Sequence, residues 1–223
     1  MTNIFITGAT GYMGSRLIPA LIEKGCTVFA LVRPGSEAKL NRPPGCKIIS
    51  GNALDAKSYQ DDVPKGCVFI HLIGVAHPGP AKKEAFEKID LVSIQEAVIA
   101  ASVAEVRHFV YVSVSQEPTR VMEYYQKVRA RGEQLIQTAV KVGRIGSATI
   151  LRPWYVLGPG HRWPIVLLPF YRLARFFPKY RAKAAALEPV SLRKMLNMLV
   201  RSALTIPPAG TIEIKEVPDI KNG

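Results

Sequence analysis

The run Ile4-Phe5-Ile6-Thr7-Gly8-Ala9-Thr10-Gly11-Tyr12-Met13-Gly14 joins a short apolar strand to a glycine-rich turn and the start of a helix. Leu17, Ile18, Leu21 and Ile22 continue it at helical spacing. A strand–turn–helix of this kind aims the N–H groups of a helix N-terminus at one point, where a phosphate fits. Gly8 permits a turn that a side chain would block. Gly11 lets the backbone approach a pyrophosphate, and Gly14 lets the helix lie close to the strand. The spacing is T-G-x-x-G-x-x-G rather than G-x-G-x-x-G, so the strand before it and the helix after it carry the reading. A bound dinucleotide is the expectation, with Thr7, Gly8, Thr10, Gly11, Tyr12, Met13 and Gly14 as candidate contacts.

The same alternation continues along the chain. Apolar runs of strand length lie at 26–32, 47–50, 68–73, 108–113 and 148–151. The spacing predicts a long helix over 84–106, with Phe86, Ile89, Ile94, Val98 and Ile99 on one side, and another over 122–142. Near-continuous apolar strands fit a parallel sheet covered on both faces. Right-handed crossovers then bring all strand C-termini to one edge, where a ligand should lie. The expected fold class is α/β, a doubly wound, Rossmann-like parallel sheet. Residues 1–151 would form its dinucleotide-binding core. Residues 152–223 would form a small basic lobe completing the same domain, with an amphipathic helix over 192–204 and an edge strand over 210–214.

Composition narrows the function classes. With 48% hydrophobic residues spread over 223 positions, the chain can bury a sizeable core. Cys26, Cys46 and Cys67 are odd in number and far apart, which suits reduced thiols in the cytoplasm rather than disulfides or zinc. The histidines show no metal-ligand spacing, so no metal is expected. No secretory signal is visible. The most apolar stretch, 163–171, is broken by Pro164 and Pro169 and is far short of the roughly 20 residues of a spanning helix. The formal charge is +13, and residues 162–201 hold nine basic residues against one acid, Glu188. Aromatic and aliphatic residues interleave there. That pattern suits a helix on an anionic membrane surface or against a partner subunit, and equally a lid with solvated basic side chains. No motif for nucleic acid accompanies the charge.

These residues resemble the short-chain dehydrogenase/reductase superfamily, in its extended or atypical branch of NmrA-like and epimerase-like NAD(P)-binding proteins. The resemblance runs from the first strand to about Gly160. It implies that Gly51-Asn52-Ala53-Leu54-Asp55 is the turn contacting the adenine ring, with Asn52 replacing the usual Asp and Ala53 beside it. It implies that Leu72 and Gly74, ending the fourth strand, lie beside the pyrophosphate and ribose, and that Pro153 lies near the nicotinamide. Arg33 follows the second strand, where NAD enzymes of this fold carry an acid for the ribose 2′-hydroxyl. An arginine suits a 2′-phosphate instead, so NADP is expected over NAD, with Gly35 and Ser36 adding an N–H and a hydroxyl.

Active members of the superfamily pair a tyrosine, as acid or base, with a lysine four residues later, while a serine binds the reacting oxygen. Here Glu133 sets the register, and the matching pair is Tyr125 and Arg129, so Tyr-x-x-x-Lys has become Tyr-x-x-x-Arg. Tyr124 with Lys127 is the alternative pair, and a plain surface pairing of Arg129 with Glu133 is the bland one. Ser115 is the chosen hydroxyl donor, with Ser113 as substitute. Trp154, Tyr155, His161 and Arg162 would meet a small-molecule substrate across the cleft mouth. Two functions follow: an NADP-dependent oxidoreductase for a small carbonyl, alcohol or quinone-like substrate, or a non-catalytic NAD(P)(H)-binding sensor or assembly protein that docks through its basic lobe.

Overall fold

The computed structural model describes residues 1–40, 43–160 and 177–223. Its centre is a seven-stranded parallel sheet. In chain order the strands are β1 (Asn3–Thr7), β2 (Thr27–Val32), β3 (Cys46–Ser50), β4 (Val68–His71), β5 (His108–Val112) and β6 (Ala148–Arg152). Two short strands, β7 (Val156–Leu157) and β8 (Val190–Ser191), pair with each other, and β9 (Ile212–Glu216) returns to the main sheet. The spatial order is β3-β2-β1-β4-β5-β6-β9. The chain winds outward from β1 in one direction and then crosses back to begin again at β4. The crevice at that reversal lies above the C-terminal ends of β1 and β4.

The strands are apolar on both faces because both faces are covered. In register across β1, β4 and β5, Phe5, Phe69 and Phe109 form a row with centroids 5.1 Å apart at each step. They share their face with α3 (Val92–Val103) and α4 (Glu123–Lys141). On the other face, Ile4, Ile6 and Ile70 meet α1 (Gly14–Glu23) and α6 (Leu192–Leu204). Helix α6 follows α5 (Pro178–Ala186) and precedes α7 (Val217–Asn222). It buries Leu192, Met195, Met198, Leu199 and Ala203 in that core, so its apolar stripe is used inside the molecule. Among the described residues no helix is long and apolar enough to cross a membrane.

One expectation needs correction. The helix expected over 84–106 is three pieces: α2 (Lys83–Ala85), a π-helical stretch (Phe86–Leu91) and α3. Ile89 and Ile99 are 37% and 48% exposed, while Ala97, Ala100, Ala101 and Ala104 are buried. The helix is apolar almost all round. The stripe that is buried is the alanine one, in the same core as Phe69, Phe109 and Ile136.

Candidate functional site

The turn after β1 is tight. The Gly11 N–H donates to the Gly8 carbonyl at 3.0 Å. Gly8 has φ +77°, and a Cβ at Gly14 would stand 2.3 Å from the Gly8 oxygen. Helix α1 can therefore start where it does only with glycine at position 14. No side chain caps the helix; the Ser15, Arg16 and Leu17 N–H groups donate to the Gly11 and Met13 carbonyls, and the turn at Gly11–Gly14 lines the crevice.

Two adjoining cavities of about 390 and 420 Å³ follow the C-terminal edge of the sheet and share Gly8, Gly11, Leu72 and Gly74. The first reaches Tyr12, Met13, Ser113, Tyr125, Pro153, Trp154 and Tyr155. The second reaches Thr10, Arg33, Ser36, Lys39 and Ala53. The structure thus gathers most of the residues singled out from the sequence into one cleft. Lys39, at the end of a 3-10 turn (Glu37–Lys39), was missed; its signal was a second cation six residues past Arg33.

Some expected residues lie elsewhere. Thr7 is fully buried, and its hydroxyl meets His71 Nδ1 at 2.8 Å, so it supports the turn from below. The Ser93 hydroxyl donates to the Asp90 carbonyl, so it accepts from His71 Nε2, and His71 Nδ1 accepts from Thr7. Burial holds His71 neutral, lowered to about 3. Asn52 is exposed, and its Oδ1 accepts the Leu54 N–H at 3.1 Å, closing its own turn; Gly51 and Ala53 line the cavity instead. The Gly35 N–H is turned to Glu37, leaving Ser36 at the cavity wall. His161 and Arg162 lie outside the described residues, as does the basic stretch over 162–176.

The two serines also change places. Ser115 is buried, does not line the cleft, and accepts the Glu117 N–H at 3.4 Å. Ser113 lines it, but its hydroxyl donates to Glu133 Oε1 at 2.5 Å. Glu133 is held in turn by Arg152, at 3.0 Å from Nε and 2.5 Å from Nη2. Glu133 therefore pairs with Arg152 and Ser113, and Arg129 has a different partner.

That partner is Asp90, on the π-helical stretch, 2.6 Å from Arg129 Nη2, with both side chains buried. The other Asp90 oxygen accepts the Val75 N–H at 3.0 Å. Arg129 Nε donates to the Tyr125 hydroxyl at 3.1 Å, and Nη1 donates to the Tyr111 hydroxyl and the Val112 carbonyl at 3.3 and 3.2 Å. Gly74 makes room: a Cβ there would stand 2.1 Å from Arg129 Nη2. Burial pushes the Tyr125 phenol above its ordinary range, against the pull of the Arg129 charge. Tyr124 instead faces outward to Glu87, and Lys127 pairs with Glu123, so the alternative pair does not form. Asp90 carried a sequence signal that passed unread, an acid set inside the apolar stretch Ile89-Asp90-Leu91-Val92.

Comparison with known proteins places the fold in a family. The NmrA-like family profile matches residues 1–143. The chain is 30% identical over 158 residues to a ceramide reductase of Caulobacter vibrioides, covering 70% of this chain and 47% of that protein. It is 26% identical over 137 residues to the photosystem II assembly factor Ycf39 of Guillardia theta, covering 61% and 43%. The chain spans about half or less of the length of the reductases it matches. Among solved structures, a UDP-galactose 4-epimerase superposes with a TM-score of 0.70 at 18% identity, over 96% of this chain and 76% of that one. A short-chain dehydrogenase/reductase superfamily protein from Agrobacterium tumefaciens with bound NAD superposes at 0.67 and 19% identity, over 96% and 77%. With its glycine turn, its doubly wound sheet and a profile match over more than half its length, the chain belongs to the NmrA-like family of atypical short-chain dehydrogenases/reductases.

Proposed function

We propose that this chain is an NADP-dependent oxidoreductase acting on a small carbonyl, alcohol or quinone-like substrate. The observation that carries the reading is Tyr125, hydrogen-bonded to Arg129 at 3.1 Å, on the wall of the cavity that also holds Gly8, Gly11, Gly14 and Pro153. The residues present fit a dinucleotide: a glycine turn at the start of α1 that lines the cleft, and room on both sides of it. A nicotinamide dinucleotide, when bound, supplies or accepts the hydride. The turn at Tyr12, Met13 and Gly14, on the cavity wall at the start of α1, would hold its pyrophosphate. Arg33, Ser36 and Lys39 would hold a 2′-phosphate through charge-assisted hydrogen bonds. Trp154 and Tyr155 would wall the substrate from water. Tyr125 would exchange a proton with the substrate oxygen. The similarity to proteins named as reductases supports this reading.

A second reading has its own observation. The Ser113 proton is turned to Glu133, so the second O–H donor that a reacting carbonyl needs faces away from the cleft. That favours a protein that holds NAD(P)(H) without turnover and docks onto a partner or an anionic membrane through its basic stretch over 162–201, and it fits the similarity to an assembly factor. Titration with NADPH and NADH, followed by nucleotide fluorescence, tests what both readings share; absence of binding removes both. Turnover that is lost in Tyr125→Phe while NADPH binding is kept supports the enzyme. Binding with no turnover across carbonyl and quinone substrates supports the holding protein, and salt-sensitive pelleting with anionic liposomes then tests the membrane form of docking.

A further inference from the structure

Arg129 stands where an active relative would present a cation to the tyrosine, yet four of its five N–H groups have protein partners. A cation beside a phenol favours the phenolate. This cation is in direct contact with an anion. Asp90 Oδ1 forms a buried ion pair with Arg129 Nη2, and Oδ2 accepts the Val75 N–H; burial raises the Asp90 carboxyl, and the Arg129 charge beside it pulls the other way, toward the carboxylate. The contact is as close as it is because Gly74 has no side chain in the way.

We propose that Asp90 is a positioning residue whose charge cancels that of Arg129, so that Tyr125 is not drawn toward the phenolate and the site gives a proton rather than taking one. The inference rests on the reading of Tyr125 as the acid–base group and adds a direction to it. In the reductive step the carbonyl π bond breaks and a C–H bond forms with hydride from the reduced dinucleotide. The substrate oxygen takes the Tyr125 proton, and the tyrosine regains one from water. The substrate is reduced and the dinucleotide oxidised.

The other groups around Tyr125 leave this balance intact. Tyr111 shares the same guanidinium, and burial pushes it up to about 12. His71, tilted against Tyr111 at 5.8 Å, is neutral. Phe86 packs on the Tyr125 ring at 4.8 Å and carries no charge. On the outer side, Lys127 is paired with Glu123, Glu87 with Arg131, and Lys83 lies over the Tyr124 ring. Arg120, His77, Tyr12 and Tyr155 complete the charged or titratable lining of the two cavities that Tyr125 borders.

The test is direct titration of Tyr125 in the full chain labelled with ring-¹³C tyrosine, its resonance identified by loss in Tyr125→Phe. In the unmodified chain the phenol should stay protonated past the ordinary tyrosine value of about 10. Asp90→Asn leaves the arginine unopposed, and Tyr125 should titrate about 1–3 pH units lower. The double variant Asp90→Asn/Arg129→Gln, which buries no lone charge, should return it close to the original value and serves as the test if the single variant does not fold. An unmoved Tyr125 in Asp90→Asn, or a double variant that falls as far as the single one, overturns the proposal. The outcomes separate it from the oxidoreductase reading. A lowered titration in a chain with no turnover upholds the charge cancellation and removes the enzyme. Turnover lost in Tyr125→Phe beside an unmoved titration in Asp90→Asn does the reverse.

Discussion

Two arginines mark the two ends of the cleft and are treated in opposite ways. Arg33 stands exposed on the loop after β2, with Lys39 and Ser36 around the same cavity. Arg129, on α4, is buried and bound by Asp90, Tyr125, Tyr111 and a backbone carbonyl. The first end, proposed for adenosine, offers its charge to whatever arrives. The second end, proposed for the reaction, has already used its charge to hold itself together. The role of an arginine is thus set less by its place in a motif than by whether the fold brings it a counter-charge. A guanidinium, with its rigid fork, lends itself to that internal use more readily than an ammonium does.

The largest expected contrast is in stability. Arg129→Ala leaves Asp90 buried without its cation and should cost about 3–5 kcal/mol. Arg33→Ala should stay within about 0.5 kcal/mol, as exposed substitutions do. Urea unfolding of the two variants beside the parent chain checks both numbers. Equal stabilities would mean that Asp90 and Arg129 contribute nothing net, and the contrast between the two ends would fail.

The same logic extends to two buried histidines, His71 at the C-terminal end of β4 beneath the cleft and His108 at the opposite edge of the sheet. His71 is lowered by burial to about 3 and His108 to about 4, each with both ring nitrogens hydrogen-bonded. The unfolded chain takes up these protons near pH 6.5 and the folded chain does not. Their stabilisation is therefore fully present above about pH 6.5 and is lost as pH falls through the window down to 3–4. Each histidine should add a slope of about 1.4 kcal/mol per pH unit within it. Unfolding free energies measured between pH 4 and 7 should show this slope, and His71→Gln should remove one histidine's share. An unchanged slope in that variant would place the acid sensitivity elsewhere.

The adenosine end should respond in affinity instead. Removing Arg33 or Lys39 deletes one contact to a 2′-phosphate, worth about 1.5–3 kcal/mol when charge-assisted. At about 1.4 kcal/mol per tenfold, NADPH binding should weaken roughly 10- to 100-fold while NADH binding stays unchanged. Equal losses for both nucleotides would assign the two cations to the pyrophosphate or to the fold.

What the sequence disclosed follows the range over which its signals act. The glycine turn, the strands, α4 and α6 are local patterns of 2.0 or 3.6 residues. The Tyr125–Arg129 contact spans four residues of one helix, and all of these were readable. Asp90 meets Arg129 across 39 positions, and Glu133 meets Arg152 across 19, with no periodicity joining either pair. The register that marks Glu133 as significant says nothing about what it holds, which is why Ser113 and Ser115 could not be told apart. The alanine stripe of α3 was unreadable for another reason. In a helix whose apolar residues fall on every side, burial is decided by which side the rest of the fold covers rather than by hydrophobicity.

The smallest effect concerns those two serines. Ser115 accepts one long backbone contact of 3.4 Å, so Ser115→Ala should cost under about 1 kcal/mol and leave NADPH binding and turnover as they were. Ser113 gives its proton to a buried carboxylate at 2.5 Å, and Ser113→Ala should cost about 1.5–3 kcal/mol, as hydrogen bonds to charged groups do. Glu133 keeps Arg152 in either variant, so the fold should survive both. Unfolding and turnover measured on this pair would show whether the hydroxyls of the reaction end belong to the scaffold. A tenfold loss of turnover in Ser115→Ala with unchanged stability would return Ser115 to the chemistry. It would also show that the reaction end, like the adenosine end, keeps a polar group in reserve for its ligand.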